Sequence, residues 1–221
     1  MNVQAVVFDF DGVLADTALD IAASVRATQR QYGLPEMTTA EIMSFVGWGA
    51  KHLIDHTVPV EDEQKQAEIL AWYKNYYGAH PCDETVLYPG IQEMLASFKA
   101  RGVKMSVVSN KPEPLTKMIV DKLGIAAYFT RVIGPESVTR MKPDPEGLLL
   151  CANAMGVDPE HCMMVGDSYT DIEAGKAAAF GCTCAVLYGY GNKEKLNAAG
   201  ADFAVRCGME ISEKTLTVEE L

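Results

Sequence analysis

The sequence predicts an α/β protein: a parallel sheet with helices on both faces, and an all-helical domain inserted directly after the first strand. Three observations predict it. Ala5-Val6-Val7-Phe8 is an apolar, strand-prone run that ends in Asp9-Phe10-Asp11-Gly12, two carboxylates followed by a turn residue. From about residue 17 to 83 the pattern is helical, with no strand inside it. From Tyr88-Pro89-Gly90 onward, helices alternate with short apolar strands, the signature of a parallel sheet covered on both faces.

The elements follow in order. Asp16 or Thr17 is an N-cap for a helix running to Gly33. Thr38-Thr39-Ala40-Glu41 reads as a capping box opening a second helix, which ends near Phe45-Val46-Gly47-Trp48-Gly49, a tight loop. A short helix from Ala50 and a longer one over Glu61 to Tyr77 follow, and Pro81 stops the pattern. The second part predicts helices over Ile91 to Ala100, Glu113 to Leu123, Lys142-Pro143-Asp144-Pro145 to about Met155, Ile172 to Ala179 and Lys193 to Ala199. Between them lie strands over Val103 to Val108, Arg131 to Gly134, Cys162 to Val165, Thr183 to Leu187 and Asp202 to Val205. The domain division is therefore 1–16 with 84–221 as the α/β part, and 17–83 as the helical insertion.

The chain of 221 residues is 48 % hydrophobic and 22 % charged, the composition of an ordinary globular protein large enough to bury a good core. A formal net charge of −11 argues against nucleic acid or an anionic membrane surface as partner, since both need a basic footprint. It also means that an anionic substrate needs local cations. No apolar run is long enough to span a bilayer, and no basic segment precedes the first one. The six cysteines (Cys82, Cys151, Cys162, Cys182, Cys184, Cys207) include no C-x-x-C pair and read as reduced, mostly buried thiols of a cytoplasmic protein.

Asp9 and Asp11 share a face if the first strand runs through Asp11, and both sit at its C-terminal end if the chain leaves at Phe10. In an open α/β sheet that end is where ligands bind. Two carboxylates so close repel, and one would ordinarily keep its proton. A divalent cation removes the conflict; Mg²⁺ takes carboxylate and carbonyl oxygens and leaves places for water and phosphate. The plain alternative is a strand followed by a solvated acidic turn. The other strand ends add Ser109, Asp167 and Asp171, with Lys142 ahead of a helix. Each has a plain reading too: Ser109 as a helix cap, Lys142 as a solvated lysine, Asp167 and Asp171 as helix-start acids. Gathered at one sheet edge, the set suits a metal and a phosphate.

Taken together these residues resemble the haloacid dehalogenase superfamily of phosphohydrolases. Asp9-Phe10-Asp11-Gly12-Val13-Leu14-Ala15-Asp16 is similar to its first motif, Ser109 to its second, Lys142 in Lys-Pro-Asp-Pro to its third and Gly166-Asp167-Ser168-Tyr169-Thr170-Asp171 to its fourth. The resemblance covers essentially the whole chain and implies a Rossmann-like core with the helical insertion as a cap domain. It implies that Asp9 is the nucleophile, forming an aspartyl-phosphate, and that Asp11 is the acid and then the base. It implies one Mg²⁺ on Asp9, the backbone carbonyl of Asp11 and Asp167, with Asp171 in support. Ser109 and nearby backbone N–H groups would hold phosphate oxygens, and Lys142 would stabilise the transferring group. Gly12, Thr17 and Asn110, and Gly47, Trp48 and Lys51 of the cap, complete the expected substrate contacts.

Within the superfamily the look is that of phosphoglycolate phosphatases, on Asp16-Thr17-Ala18-Leu19-Asp20, Val46-Gly47-Trp48-Gly49-Ala50 and Tyr188-Gly189-Tyr190-Gly191. The presence of Asp11 disfavours a phosphonoacetaldehyde hydrolase. Ile21, standing where β-phosphoglucomutases carry a histidine, counts against a mutase. Trp48 replaces the small or polar residue expected there and allows a leaving group bulkier than glycolate. The expected partner is a small phosphorylated metabolite, handled by a monomer or homodimer. Pyrophosphatase, sugar-phosphate phosphatase or mutase, and a non-catalytic binding protein on the same fold, are the alternatives.

Overall fold

The computed structural model describes residues 3–219. Its first part comprises β1 (Ala5–Phe8), β2 (Ala15–Asp16), α1 (Ala18–Gln31), α2 (Thr39–Met43), α3 (Gly49–Thr57), α4 (Glu63–Ala79) and β3 (Val86–Leu87). Then come α5 (Ile91–Ala100), β4 (Lys104–Val108), α6 (Glu113–Lys122), β5 (Val132–Ile133), α7 (Glu146–Met155), β6 (Cys162–Gly166), α8 (Tyr169–Ala177), β7 (Cys182–Val186), α9 (Lys193–Ala199), β8 (Phe203–Val205) and α10 (Gly208–Glu219).

Six strands form one parallel sheet in the order β5-β4-β1-β6-β7-β8. β1 lies between β4 and β6, with Phe8 opposite Val107 on one side and Val165 on the other. All four β1 side chains are buried because helices cover both sheet faces, which is why the strand reads as a continuous apolar run. Phe8 meets the rings of Phe98 on α5 and Phe129 beyond α6, at 6.3 and 6.4 Å between centroids. The chain leaves β1 for β4 and later returns to β6 on the other side. The C-terminal ends of β1, β4 and β6 therefore lie together at a topological switch.

Between β2 and β3 lies the helical block. Its core is Ile42, Ile54, Ile69 and Tyr73, one apolar stripe from each of α2, α3 and α4, packed against α1. The Thr38–Glu41 capping box forms as the sequence indicates. The two passages into and out of the block, unassigned from sequence, pair as a short antiparallel ribbon, Ala15 with Leu87 and Asp16 with Val86. Two-residue strands carry too little periodicity to be read. α8 begins at Tyr169 rather than near Ile172, because Ser168 and Asp171 make a second capping box. α10 was not expected.

The thiols of Cys151, Cys162 and Cys182 are pushed up to about 12, 11 and 12, in each case first by burial, and burial also raises Cys184 well above the usual thiol range. Cys207 is exposed and Cys82 half-buried. A thiol reagent at pH 7.5 should modify Cys207 first, Cys82 more slowly and the remaining four only in denaturant. Rapid labelling of Cys151 or Cys184 in the native protein, read by peptide mass spectrometry, would contradict this packing.

Candidate active site

Asp9 continues the sheet one residue beyond β1, its N–H donating to Val165 O at 2.9 Å. Its Oδ1 accepts from the Phe10 N–H at 2.7 Å and lies 3.0 Å from Lys142 Nζ. Asp167, just past the end of β6, and Asp171, in the first turn of α8, bring carboxylate oxygens within 4.8 Å of Asp9 and of each other. Asp9 is the most open of the three, with 13 % of its side chain exposed. Gly166 allows the close approach: a Cβ there would stand 2.1 Å from the Cβ of Asp171.

The charge balance of this cluster is uneven. Burial, then the charges of Asp171 and Asp9, push Asp167 far above the usual carboxylate range, against the N–H groups of Tyr190 and Gly191. Asp171 is raised to about 6, first by burial and further by Asp9, while Lys142 pulls it down. Burial draws Lys142 down, but Asp171 at 2.7 Å and Asp9 outweigh it and hold the ammonium above its usual range. One buried ammonium thus faces three carboxylates. A hard divalent cation fits the surplus: the donors are all oxygens, and Asp167 Oδ2 is already aimed by N–H bonds from Tyr190 (2.6 Å) and Gly191 (3.0 Å).

Asp11 is separated from this cluster. Its Oδ1 accepts from Thr17 Oγ1 at 2.7 Å and from Lys111 Nζ at 3.0 Å, and its Oδ2 lies 3.3 Å from the same ammonium. Its carboxylate is therefore no member of the acid cluster, and only its backbone carbonyl would remain for a metal. Thr17, expected to touch substrate and, as the alternative to Asp16, to cap α1, is absent from the cavity lining and makes no side-chain cap bond; its buried hydroxyl holds Asp11, while Asp16 Oδ1 accepts from the Ala18 N–H at 3.3 Å. Tyr190 Oη takes over the cap, accepting from the N–H groups of Thr17 and Ala18 at 2.7 and 3.1 Å while donating to Asp16 at 2.6 Å.

The remaining expected residues divide. Ser109 follows β4 directly, its N–H donating to Ile133 O at 3.0 Å, and it lines the cavity. Asn110 also lines it but serves as a brace: its amide donates to Gly47 O at 2.9 Å and Lys142 O at 3.1 Å, and its Oδ1 accepts from the Lys142 N–H at 3.1 Å. Lys142 Nζ also donates to Val108 O at 2.6 Å, so its three hydrogens are directed at Asp9, Asp171 and a carbonyl. Gly12 stands outside the cavity lining, with its N–H on Ala15 O. At φ +80° it makes the turn that lets Asp167 close in, since a Cβ there would meet Asp167 Oδ2 at 2.3 Å. Gly47 and Trp48 line the cavity, Trp48 being 40 % exposed. Lys51 does not: it pairs with Asp55 one helical turn on, at 2.6 Å, with 74 % of its side chain in solvent. An i, i+4 partner on its own helix turns it outward.

Sequence reasoning missed Lys111. It is buried, bonded to Asp11 and, at 2.8 Å, to Tyr77 Oη on α4, with its ammonium 4.5 Å from the centre of the Tyr77 ring. It thereby links the core to the helical block. The cavity above the cluster measures about 340 Å³, and its walls come from both parts of the chain, including Ile21, Met43, Val46, Leu53 and Tyr73 opposite Asp9, Ser109 and Asp167.

Residues 6–186 match the family described as haloacid dehalogenase-like hydrolase. The phosphoglycolate phosphatase of Neisseria meningitidis is 36 % identical over 203 residues, 89 % of this chain and 85 % of that protein. That of Aquifex aeolicus is 34 % identical over 202 residues, covering 91 % and 92 %. The crystal structure of a predicted phosphoglycolate phosphatase from Haemophilus somnus superimposes with a TM-score of 0.91 at 26 % identity, over 97 % of this chain and 99 % of that one. The parallel sheet, the aspartates at its strand ends and these likenesses agree: the chain belongs to the haloacid dehalogenase-like hydrolase family and resembles the phosphoglycolate phosphatases within it.

Proposed function

We propose that this protein is a Mg²⁺-dependent phosphatase that hydrolyses a small organic phosphate monoester, phosphoglycolate-like in class, through an aspartyl-phosphate on Asp9. In the same proposal residues 17–83 are the cap over a core of 1–16 and 84–221. One observation carries the reading: two carboxylates two residues apart have different surroundings. Asp9 belongs to the acid cluster at the cavity floor, whereas Asp11 is held by Thr17 and Lys111.

Asp9, its Oδ1 fixed by Phe10 N–H and Lys142, attacks phosphorus with its other oxygen; an Asp9–phosphorus bond forms as the bond to the leaving oxygen breaks. Asp11 gives that oxygen a proton, then takes one from the water that cleaves the aspartyl-phosphate and returns Asp9 as carboxylate. Thr17 and Lys111 keep Asp11 in one orientation through both steps. Ser109 holds phosphate oxygens, and the apolar cavity wall excludes bulk water. When bound by Asp9, Asp167 and the Asp11 carbonyl, with Asp171 in support, Mg²⁺ offsets the repulsion between anionic nucleophile and anionic phosphate. The proposal includes a cytoplasmic location and a monomer or homodimer. In its support all six cysteines are free, and among the described residues no helix is long and apolar enough to cross a membrane.

Phosphate release from p-nitrophenyl phosphate and from phosphoglycolate, before and after chelation, tests the reading. Turnover should stop on removal of divalent ions and return with Mg²⁺. Ca²⁺ should bind yet support little, because its larger, looser shell holds nucleophile and phosphorus less well in line. Full rates in chelator would sink the metal assignment.

A further inference from the structure

The mouth of the cavity has a composition that the phosphoryl-transfer chemistry does not require. Trp48, at the N-cap position of α3, packs across to Tyr169 at the start of α8, with 5.7 Å between ring centres and 57° between planes. This contact joins the helical block to the core directly over the cavity. Lys195 sits with its ammonium 5.5 Å from the centre of the Tyr169 ring. The loop that presents Lys195 is anchored in the site, because the N–H groups of Tyr190 and Gly191 both bind Asp167 Oδ2. Asn192 then fixes the start of α9, its Oδ1 accepting from the Lys195 N–H at 3.0 Å.

Lysine charge around the cavity is mostly spent within the protein. Lys142 is committed to Asp9 and Asp171, Lys111 to Asp11, and Lys51 to Asp55 on the outer surface. Lys195 lines the cavity and, among the described residues, has no carboxylate partner, only the Tyr169 ring. In a protein of net charge −11, a cation left so at the mouth of an anion-binding cavity is available for a ligand. Its ammonium can donate a charge-assisted hydrogen bond to one oxygen of a ligand carboxylate. At about 340 Å³ the cavity is at the small end of the usual range for small-molecule sites, roughly 300–1,000 Å³, and holds more than a phosphate and two carbons.

We propose that Trp48, Tyr169 and Lys195 form a leaving-group subsite, selecting phosphate monoesters whose planar or apolar leaving group ends in a carboxylate. This rests on the phosphatase reading and narrows it. The aromatic pair supplies a flat wall, and Lys195 receives the carboxylate at its edge. The phosphate stays on the Ser109 side of the cavity.

The test compares kcat/KM for 4-carboxyphenyl phosphate and phenyl phosphate, with ethyl phosphate as a small alkyl reference, all with Mg²⁺. Wild-type enzyme should favour the carboxylated ester. Lys195→Met should lower that preference about tenfold, mainly through KM, since a charge-assisted bond is lost. Lys51→Met should leave it as in wild type. Tyr169→Leu and Trp48→Ala should each lower the preference for phenyl over ethyl phosphate. An unchanged carboxylate preference in Lys195→Met, or its loss in Lys51→Met instead, overturns the subsite while the phosphatase reading stands. A wild-type enzyme with no preference for the carboxylated ester, or one that hydrolyses phosphoglycolate but none of the three esters, overturns the subsite alone; one that releases phosphate from none of the three, nor from p-nitrophenyl phosphate or phosphoglycolate, overturns the phosphatase reading, and the subsite with it.

Discussion

Asp9→Asn should fall in turnover by roughly 10⁴-fold or more, the scale on which loss of a covalent nucleophile is felt. It should nevertheless stay folded and, without divalent ions, melt above wild type. The two effects share one cause. Asp9 is held in the cluster with Asp167 and Asp171 within 4.8 Å, and neutralising it removes a negative charge that each of the other two acids meets on ionising. The gain should depend on pH in a definite direction. In the folded protein Asp171 is raised to about 6, above its ordinary value of 3.8, so it costs stability as pH rises through that interval. At pH 5 it is largely protonated, and Asp9 has little there to repel. Above pH 6 Asp171 is mostly ionised and repels Asp9. In chelator, the melting-temperature advantage of Asp9→Asn should therefore be larger at pH 7.5 than at pH 5. A well-folded variant that keeps substantial activity would remove Asp9 from the nucleophile's place. A variant less stable than wild type at pH 7.5 would show that the acid cluster is not under strain.

Lys142→Met should damage both activity and stability. The side chain is 2 % exposed, and among the described residues its ammonium is the cluster's only paired counter-charge, touching Asp9 at 3.0 Å and Asp171 at 2.7 Å. Removing one partner of a buried ion pair costs about 3–5 kcal/mol, because the other charge is left uncompensated. For a chain of this size that is a fall of roughly 10 °C in melting temperature. Turnover should drop by about 10²–10³-fold, as for loss of one preorganised donor at a site of developing charge. Mg²⁺ separates this from generic core damage. A divalent cation replaces part of the missing charge, so its addition should raise the melting temperature of Lys142→Met more than that of wild type. Equal stabilisation of both proteins by Mg²⁺ would mean that Lys142 and the metal do not share the same carboxylates.

Much of this site could be read in the sequence because its residues stand at strand ends, where a change from apolar run to polar group is visible locally. Asp9, Ser109, Asp167 and Asp171 were legible for that reason. What could not be read depends on pairs far apart in the chain. Lys111 follows Ser109 and Asn110 and looks like any lysine leaving a strand; its burial comes from Asp11, a hundred positions away, and from Tyr77 on the helical block. Tyr190 becomes the cap of α1 across more than 170 positions. Thr17 carries the local signature of an N-cap, but its hydroxyl is turned to donate to the Asp11 carboxylate and accepts no helix N–H. Lys51 was misplaced by the opposite error. Its nearness in sequence to Trp48 suggested a shared direction, yet one helical turn and Asp55 point it to solvent.

The two-stranded ribbon has a mechanical consequence. On our proposal that residues 17–83 form a cap, the chain passes between core and cap only through β2 and β3, four residues in two pairs. Asp11 is separated from β2 by only the Gly12–Leu14 turn, bridging back to Ala15, and Thr17, the first residue beyond the ribbon, grips its carboxylate. The opposite grip, Lys111, is tied in turn to the cap through Tyr77. A swing of the cap about the ribbon would therefore draw Tyr77 away from Lys111, a core residue, while Thr17 stays near the pivot. The proton donor would lose one brace of its holder as the lid opens. An open enzyme would then retain its nucleophile but hold its acid less firmly, a bias against transferring phosphate before a leaving group has been enclosed.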